Sequence, residues 1–89
     1  MRPLRTTKQF ERDLKLARRR RKKLDRLWAI VDLLVRVEPL PARCRRHRLS
    51  GEWNRLWECH IEPDWLLIWG EAEQTLTLVR TGTHADLFE

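Results

Sequence analysis

Apolar positions recur at helical spacing through the first third of the chain and alternate through the last half. Phe10, Leu14 and Ala17 form a narrow stripe on one helix face. A broader stripe runs through Leu24, Leu27, Trp28, Val31, Leu34 and Val35, the pattern of an amphipathic helix. Between them Arg18-Arg19-Arg20-Arg21-Lys22-Lys23 interrupts the apolar pattern. The spacing predicts two helices within residues 1–38, joined at this basic run, with Trp28 in the core. Thr6-Thr7-Lys8-Gln9 reads as a capping box, Thr6 at the N-cap and Gln9 reaching back to it. Glu38-Pro39 and Pro41 stop the second helix near Val37. Met1 to Arg5 suits a short edge strand, although Pro3 counts against it.

From residue 44 onward the period drops to two. Trp53, Arg55, Trp57, Cys59 and Ile61 fall on one side of a strand, and Asn54, Leu56, Glu58 and His60 on the other. Glu62-Pro63-Asp64 is turn chemistry. Trp65-Leu66-Leu67-Ile68-Trp69 is apolar on both sides, which marks a central strand covered on both faces. Gly70 to Gln74 turns again, and Thr75 to Arg80 alternates as the next strand. Short turns between consecutive strands give an antiparallel meander. The expected fold is α+β: an N-terminal helical hairpin packed on a four-stranded, mainly antiparallel sheet, as one domain over residues 1–89.

Composition narrows the function. A chain of 89 residues holds one small core, and its three glycines form no nucleotide-binding signature. No apolar run approaches the ~18 residues of a membrane span, and Met1-Arg2-Pro3-Leu4 opens no signal peptide. Two cysteines are too few for a disulfide framework, so a cytoplasmic protein with reduced thiols is expected. Charge is uneven: residues 1–50 carry 17 Lys/Arg and 5 Asp/Glu, a balance of +12, whereas residues 51–89 carry 2 and 8, a balance of −6. Such asymmetry suits a polyanionic partner, and it equally suits basic helix faces that only keep a small protein in solution.

The three histidines, His47, His60 and His84, all lie in the second half. Cys44-x-x-His47 and Cys59-His60 supply zinc-type ligands, but adjacent strand residues point to opposite faces and cannot share an ion, so no metal is expected. Cleavage of RNA by its own 2′-hydroxyl requires a base, an acid and a cation beside the phosphate, and histidine suits both proton roles. His60 ends a strand before the turn that carries Asp64, His84 follows the last strand in Thr81-Gly82-Thr83-His84, and His47 precedes Leu49-Ser50-Gly51. Strand ends of one sheet can bring these imidazoles to one edge; spacing equally allows three ordinary surface histidines. Among the five tryptophans, Trp53, Trp57 and Trp69 read as sheet packing. Trp65, beside Asp64, suits either stacking on a base or burial.

Three segments together resemble the YafQ-type toxins of the RelE/ParE superfamily of bacterial toxin–antitoxin systems. They are His47-x-Leu49-x-Gly51, His60-Ile61-Glu62-Pro63-Asp64-Trp65-Leu66-Leu67-Ile68, and Arg80-Thr81-Gly82-Thr83-His84-Ala85-x-Leu87-Phe88. The likeness extends to Phe10-x-x-Asp13-x-Lys15-x-Ala17 and so covers nearly the whole chain. It implies two N-terminal helices on an antiparallel sheet, ribosome-dependent cleavage of mRNA in the A site without metal or other cofactor, and silencing by a cognate antitoxin. By motif, the implied cleavage residues are His47, His60, Asp64, His84 and Phe88, with Trp65 adjoining. Trp57 and Trp69 stand where relatives often carry tyrosine, and Arg48 where a small residue or proline is usual.

On this reading His60 and His84 share the base and acid roles, and Asp64 orients a histidine. His47, with Arg80 or Arg55, stabilises the phosphorane, while Phe88 and Trp65 hold the nucleotide. Arg18, Arg19, Arg20, Arg21, Lys22 and Lys23 dock on ribosomal RNA. A ParE-like gyrase inhibitor without catalysis and a plain RNA-binding module are the rival readings; RNA cleavage separates both from the first.

Overall fold

Helix α1 (Lys8–Arg19) starts where Thr7 takes extended backbone and its Oγ1 accepts the Phe10 amide at 3.0 Å. The computed structural model, which describes residues 1–88, thus places the N-cap at Thr7 rather than Thr6. Gln9 does not reach back; its Nε2 donates forward to Asp13 at 3.1 Å. The Thr7 hydroxyl prefers this position because it also donates to the Val79 carbonyl at 2.8 Å, which fixes the helix start on the sheet.

Both helices end on a left-handed residue. After α1, Arg21 has φ of 59° and the Lys22 amide donates back to Ala17 at 3.0 Å; after α2 (Leu24–Val35), Val37 has φ of 58° and the Glu38 amide donates to Leu33 at 2.9 Å. Glycine usually takes this place. Because Val37 supplies the reversal itself, α2 ends two residues before the point set by the prolines.

The sheet has five strands, not four: β1 (Leu4–Thr6), β2 (His47–Arg48), β3 (Leu56–Glu62), β4 (Trp65–Gly70) and β5 (Leu76–Gly82), in the order β1-β5-β4-β3-β2. β1 runs parallel to β5 and every other pairing is antiparallel. Pro3 is compatible with this edge because it offers only its carbonyl, which accepts the Leu76 amide at 2.9 Å. β3 begins later than the alternation suggested. Gly51–Trp53 forms a 3₁₀ turn and Arg55 has φ of 76°, so Trp53 and Arg55 lie outside the strand.

The helices cover one face of the sheet, burying Phe10, Leu27, Leu34, Cys59, Leu67 and Trp69 between the layers. On the other face Leu66 and Ile68 pack with Leu87, Trp53 and Leu49. β4 is accordingly buried from Trp65 to Trp69, and each such large side chain contributes about 1.5–3 kcal/mol. Trp28 is a correction: it is 41% exposed, because the arc of α2 that meets the sheet is Leu27, Ile30, Val31 and Leu34.

Two polar ties set the position of the C-terminal end of β5. The buried Asp13 carboxylate accepts from Arg80 Nε at 2.8 Å, the Thr81 amide at 3.1 Å and Gln9. Beyond β5, helix α3 (His84–Phe88) opens with a reciprocal cap: the Asp86 amide donates to Thr83 Oγ1 at 3.1 Å and the Thr83 amide donates to Asp86 Oδ2 at 3.0 Å.

Removing one partner of a buried pair strands the other, at a cost of about 3 kcal/mol or more. Asp13→Ala is therefore expected to lower unfolding free energy by about that amount in urea titrations; a loss under about 1 kcal/mol, the level of a surface pair, contradicts the role given to Asp13. The Arg20 guanidinium, aided by the Thr83 amide, holds the Asp86 carboxyl at about 2 against an ordinary 3.8. A carboxyl lowered on folding stabilises fully above its unfolded pKa and loses that contribution as pH falls through the folded one. Asp86→Asn should thus be less stable than the parent near neutral pH, the gap closing between about pH 4 and about pH 2. An equal gap across that range contradicts this.

Candidate active site

The side-chain alternation of β3 decides which groups share a face. Cys59 enters the helix-side core, so Glu58 and His60 point to the opposite face. A bulge at Ile61 and the turn at Pro63-Asp64 then carry the chain back into β4. The His60 Nδ1 lies 3.2 Å from the Pro63 carbonyl. Asp64, at the tip of this turn, meets His84 at the start of α3: its Oδ1 accepts the His84 amide at 3.0 Å and faces Nδ1 at 2.7 Å. The rings of His60 and His84 stand 5.8 Å apart, centroid to centroid. Phe88, one turn along α3, lies 6.5 Å from His84 and meets Trp53 edge-on at 5.7 Å.

The hydrogen bonds assign protons. Asp64 is held below the usual carboxylate range, first by the His84 amide and then by the His84 ring. It is an anion at neutral pH and only accepts, so the shared proton sits on Nδ1 and Nε2 of His84 is left to exchange one. The Pro63 carbonyl makes the same demand on His60, whose Nε2 is likewise left over.

His47 joins the same face from β2, opposite Glu58. Its Nδ1 lies 2.8 Å from the Arg45 carbonyl and its Nε2 lies 3.3 Å from Glu58 Oε1. Glu58 is the residue that sequence reasoning missed. It is only 5% exposed, and its Oε2 has no hydrogen-bond partner among the described residues. Its place between Leu56 and His60 on one side of the alternation was the available signal. That alternation puts Glu58 on the face of His60 without showing the face to be buried, and its partner is His47 across the strand pair.

Several expected residues are elsewhere. Trp65 cannot stack on a base: it is 1% exposed, and its Nε1 donates to Thr81 Oγ1 at 3.0 Å beneath the Lys22 ammonium. Arg80 is not beside His47; its guanidinium is engaged by Asp13 on α1. Arg55 is exposed after the 3₁₀ turn, with no hydrogen bond or ion pair to the histidines among the described residues. The basic run divides. Arg20 pairs with Asp86 at 2.7 Å, and Lys22, at 3.9 Å, approaches Glu62, which Arg26 also holds at 3.1 Å. The turn therefore borders the His84 end of the sheet. Arg18, Arg19, Arg21 and Lys23 are exposed and, among the described residues, unpaired.

Among the described residues no cluster of three or more His, Cys, Asp or Glu is placed to hold a metal ion. Burial pushes both thiols up, Cys59 strongly, so neither is a ready thiolate ligand. Among the described residues no helix is long and apolar enough to cross a membrane. What the face does offer is two imidazoles with an open nitrogen each, a third on a buried carboxylate, and an aromatic edge.

Known proteins match this chain over most or all of their length. Residues 2–89 match the family described as the bacterial toxin of type II toxin–antitoxin systems, YafQ. The mRNA interferase toxin YafQ of Escherichia coli K12 is 42% identical over 81 residues, 90% of this chain and 88% of that protein. The crystal structure of YafQ from E. coli BL21(DE3) superposes with a TM-score of 0.94 at 38% identity, covering all of both chains. The E. coli DinJ–YafQ complex gives 0.92 at 39% identity, again covering all of both chains. This chain belongs to the YafQ family of type II toxins and is an mRNA interferase, an endoribonuclease.

Proposed function

We propose that this toxin cuts mRNA in the ribosomal A site by metal-independent attack of the 2′-hydroxyl on the adjacent phosphorus. The observation that carries the reading is the His60–His84 pair, ring centroids 5.8 Å apart, with each Nδ1 committed to an acceptor and each Nε2 without a hydrogen-bond partner among the described residues. One imidazole takes the 2′-hydroxyl proton as the new P–O bond forms, and the other delivers a proton to the departing 5′-oxygen. Asp64 fixes the tautomer and orientation of His84. His47, backed by Glu58, stabilises the phosphorane charge without Arg80, which Asp13 engages, or Arg55. Phe88 with Trp53 offers the base an apolar edge in place of the buried Trp65. Arg18, Arg19, Arg21 and Lys23 supply phosphate contacts to ribosomal RNA. A cognate antitoxin silences the toxin, as the DinJ–YafQ complex suggests for this family.

His84→Gln keeps a hydrogen bond but carries no proton, so cleavage on programmed ribosomes should fall about 10²- to 10⁴-fold. Replacing the 2′-hydroxyl at the scissile phosphate by hydrogen should abolish the cut, and a chelator should leave it intact while Mg²⁺ is kept high enough for the ribosome. Near-normal cleavage by folded His84→Gln overturns the role of His84. For docking, reversing Arg18, Arg19 and Arg21 to Glu should weaken ribosome association and flatten its dependence on salt, with the thermal transition unchanged. Identical binding at several salt concentrations would show that the turn is merely solvated.

A further inference from the structure

We infer that Asp86, clamped by Arg20, is a positioning residue for His84. The inference rests on the reading of His84 as a proton carrier and adds what holds it in place. Helix α3 has five residues, too few to keep its shape by backbone hydrogen bonds alone. His84 is its first residue, so the orientation of the imidazole is set by whatever fixes that turn. Asp64 holds the ring and the His84 amide from the β3–β4 side. Asp86 holds the turn from the other side, through its reciprocal bonds with Thr83.

The Asp86 carboxylate is itself fixed from outside α3. Arg20 donates to it with both terminal nitrogens, at 2.7 and 3.3 Å. Arg20 is the C-cap of α1, with its own amide bonded to the Leu16 carbonyl at 2.9 Å, so the guanidinium springs from a closed helix end. Asp86 also packs directly on the strand that precedes it. A Cβ at Gly82 would lie 3.0 Å from the Asp86 Cβ, tight enough that Asp86 would have to shift by a few tenths of an ångström, so Gly82 allows this close packing. With one oxygen on Arg20 and the other on both Arg20 and Thr83, the hydrogen bonds of the carboxylate among the described residues all go to the clamp and the turn, so its effect on His84 runs through α3. A basic residue in the α1–α2 turn thereby reaches the acid–base pair without touching RNA.

The test is single-turnover cleavage on programmed ribosomes, comparing the parent with Asp86→Ala, Asp86→Asn, Arg20→Gln and Arg20→Lys, each with and without His84→Gln. Thermal unfolding of each variant checks the fold, and Asp86→Asn retains an acceptor for the Thr83 amide if Asp86→Ala does not fold. Displacing a catalytic group by about an ångström costs up to about 10²-fold. Asp86→Ala and Arg20→Gln should lose rate at saturating ribosomes by up to that factor, with the half-saturating concentration unchanged. Arg20→Lys, which keeps the charge, should recover part of the loss. In the His84→Gln background Asp86→Ala should cost little more, because there is no proton carrier left to misplace. An unchanged rate, a loss confined to half-saturation, or the same loss with and without His84 overturns the inference. Normal cleavage by His84→Gln alone instead overturns the acid–base reading, so the two failures are told apart.

Discussion

Asp13 accepts hydrogen bonds from Gln9 within its own helix and from Arg80 and Thr81 across the layer, where water is largely excluded. Thr81 in turn accepts from the Trp65 indole and donates to the Leu66 carbonyl at 2.7 Å. One carboxylate thus ties α1 to the last turn of β5 and, through Thr81, to the first residues of β4. Two groups of the candidate site lie within a few residues of this knot along the chain: Asp64 just before β4 and His84 just after β5. A buried charge with its donors in place is satisfied only in one geometry. The same tie explains why Arg80, an attractive phosphate ligand from sequence, is withheld from the substrate.

Much of the charge asymmetry is resolved inside the molecule. Three acidic residues of the sheet half are met by cations of the helical half or its flanks: Asp86 by Arg20, Glu62 by Lys22 and Arg26, and Glu71 by Arg2 and Arg46. For Glu71, burial alone would raise the pKa, and the Trp69 indole with Arg2 and Arg46 more than reverses it. These pairs are partly exposed and individually modest, yet they join the two layers around the rim of the sheet. The free positive charge available to a polyanion is therefore smaller than the count of basic residues suggests.

Periodicity made the two helices, the two-sided burial of β4 and the order of elements legible, because those features depend on which residues are apolar and how they are spaced. It failed where a single backbone torsion decides. Arg21, Val37 and Arg55 all adopt left-handed φ without being glycine, and each shifts an element boundary. The N-terminal edge strand was legible despite Pro3, whose missing N–H costs nothing at an edge; the strand left unread was β2, whose two residues are too few to show an alternation. Trp65 showed both of its possible fates in sequence. Only the partner for its indole, Thr81 from a strand 16 residues away, selects burial. The three histidines were legible as candidates, while Glu58 was not, since a charged residue within an alternating strand reads as solvent-facing until the second apolar layer under that face is known.

The division of the basic run follows from how α1 ends. After a right-handed last turn, the left-handed Arg21 reverses the chain, and the Lys22 amide folds back onto the Ala17 carbonyl. A reversal of this kind sends neighbouring residues to different sides. Arg20 and Lys22 turn inward over Asp86, Trp65 and Glu62, whereas Arg18, Arg19, Arg21 and Lys23 remain in solvent. Under the proposed docking, only free cations release counterions from RNA, each adding about 0.7–0.9 to the slope of log affinity against log salt. On that reading the run contributes four such contacts and not six, because Arg20 and Lys22 are engaged by Asp86 and Glu62. A stretch that looks uniform in sequence is divided into free and paired cations by one torsion angle.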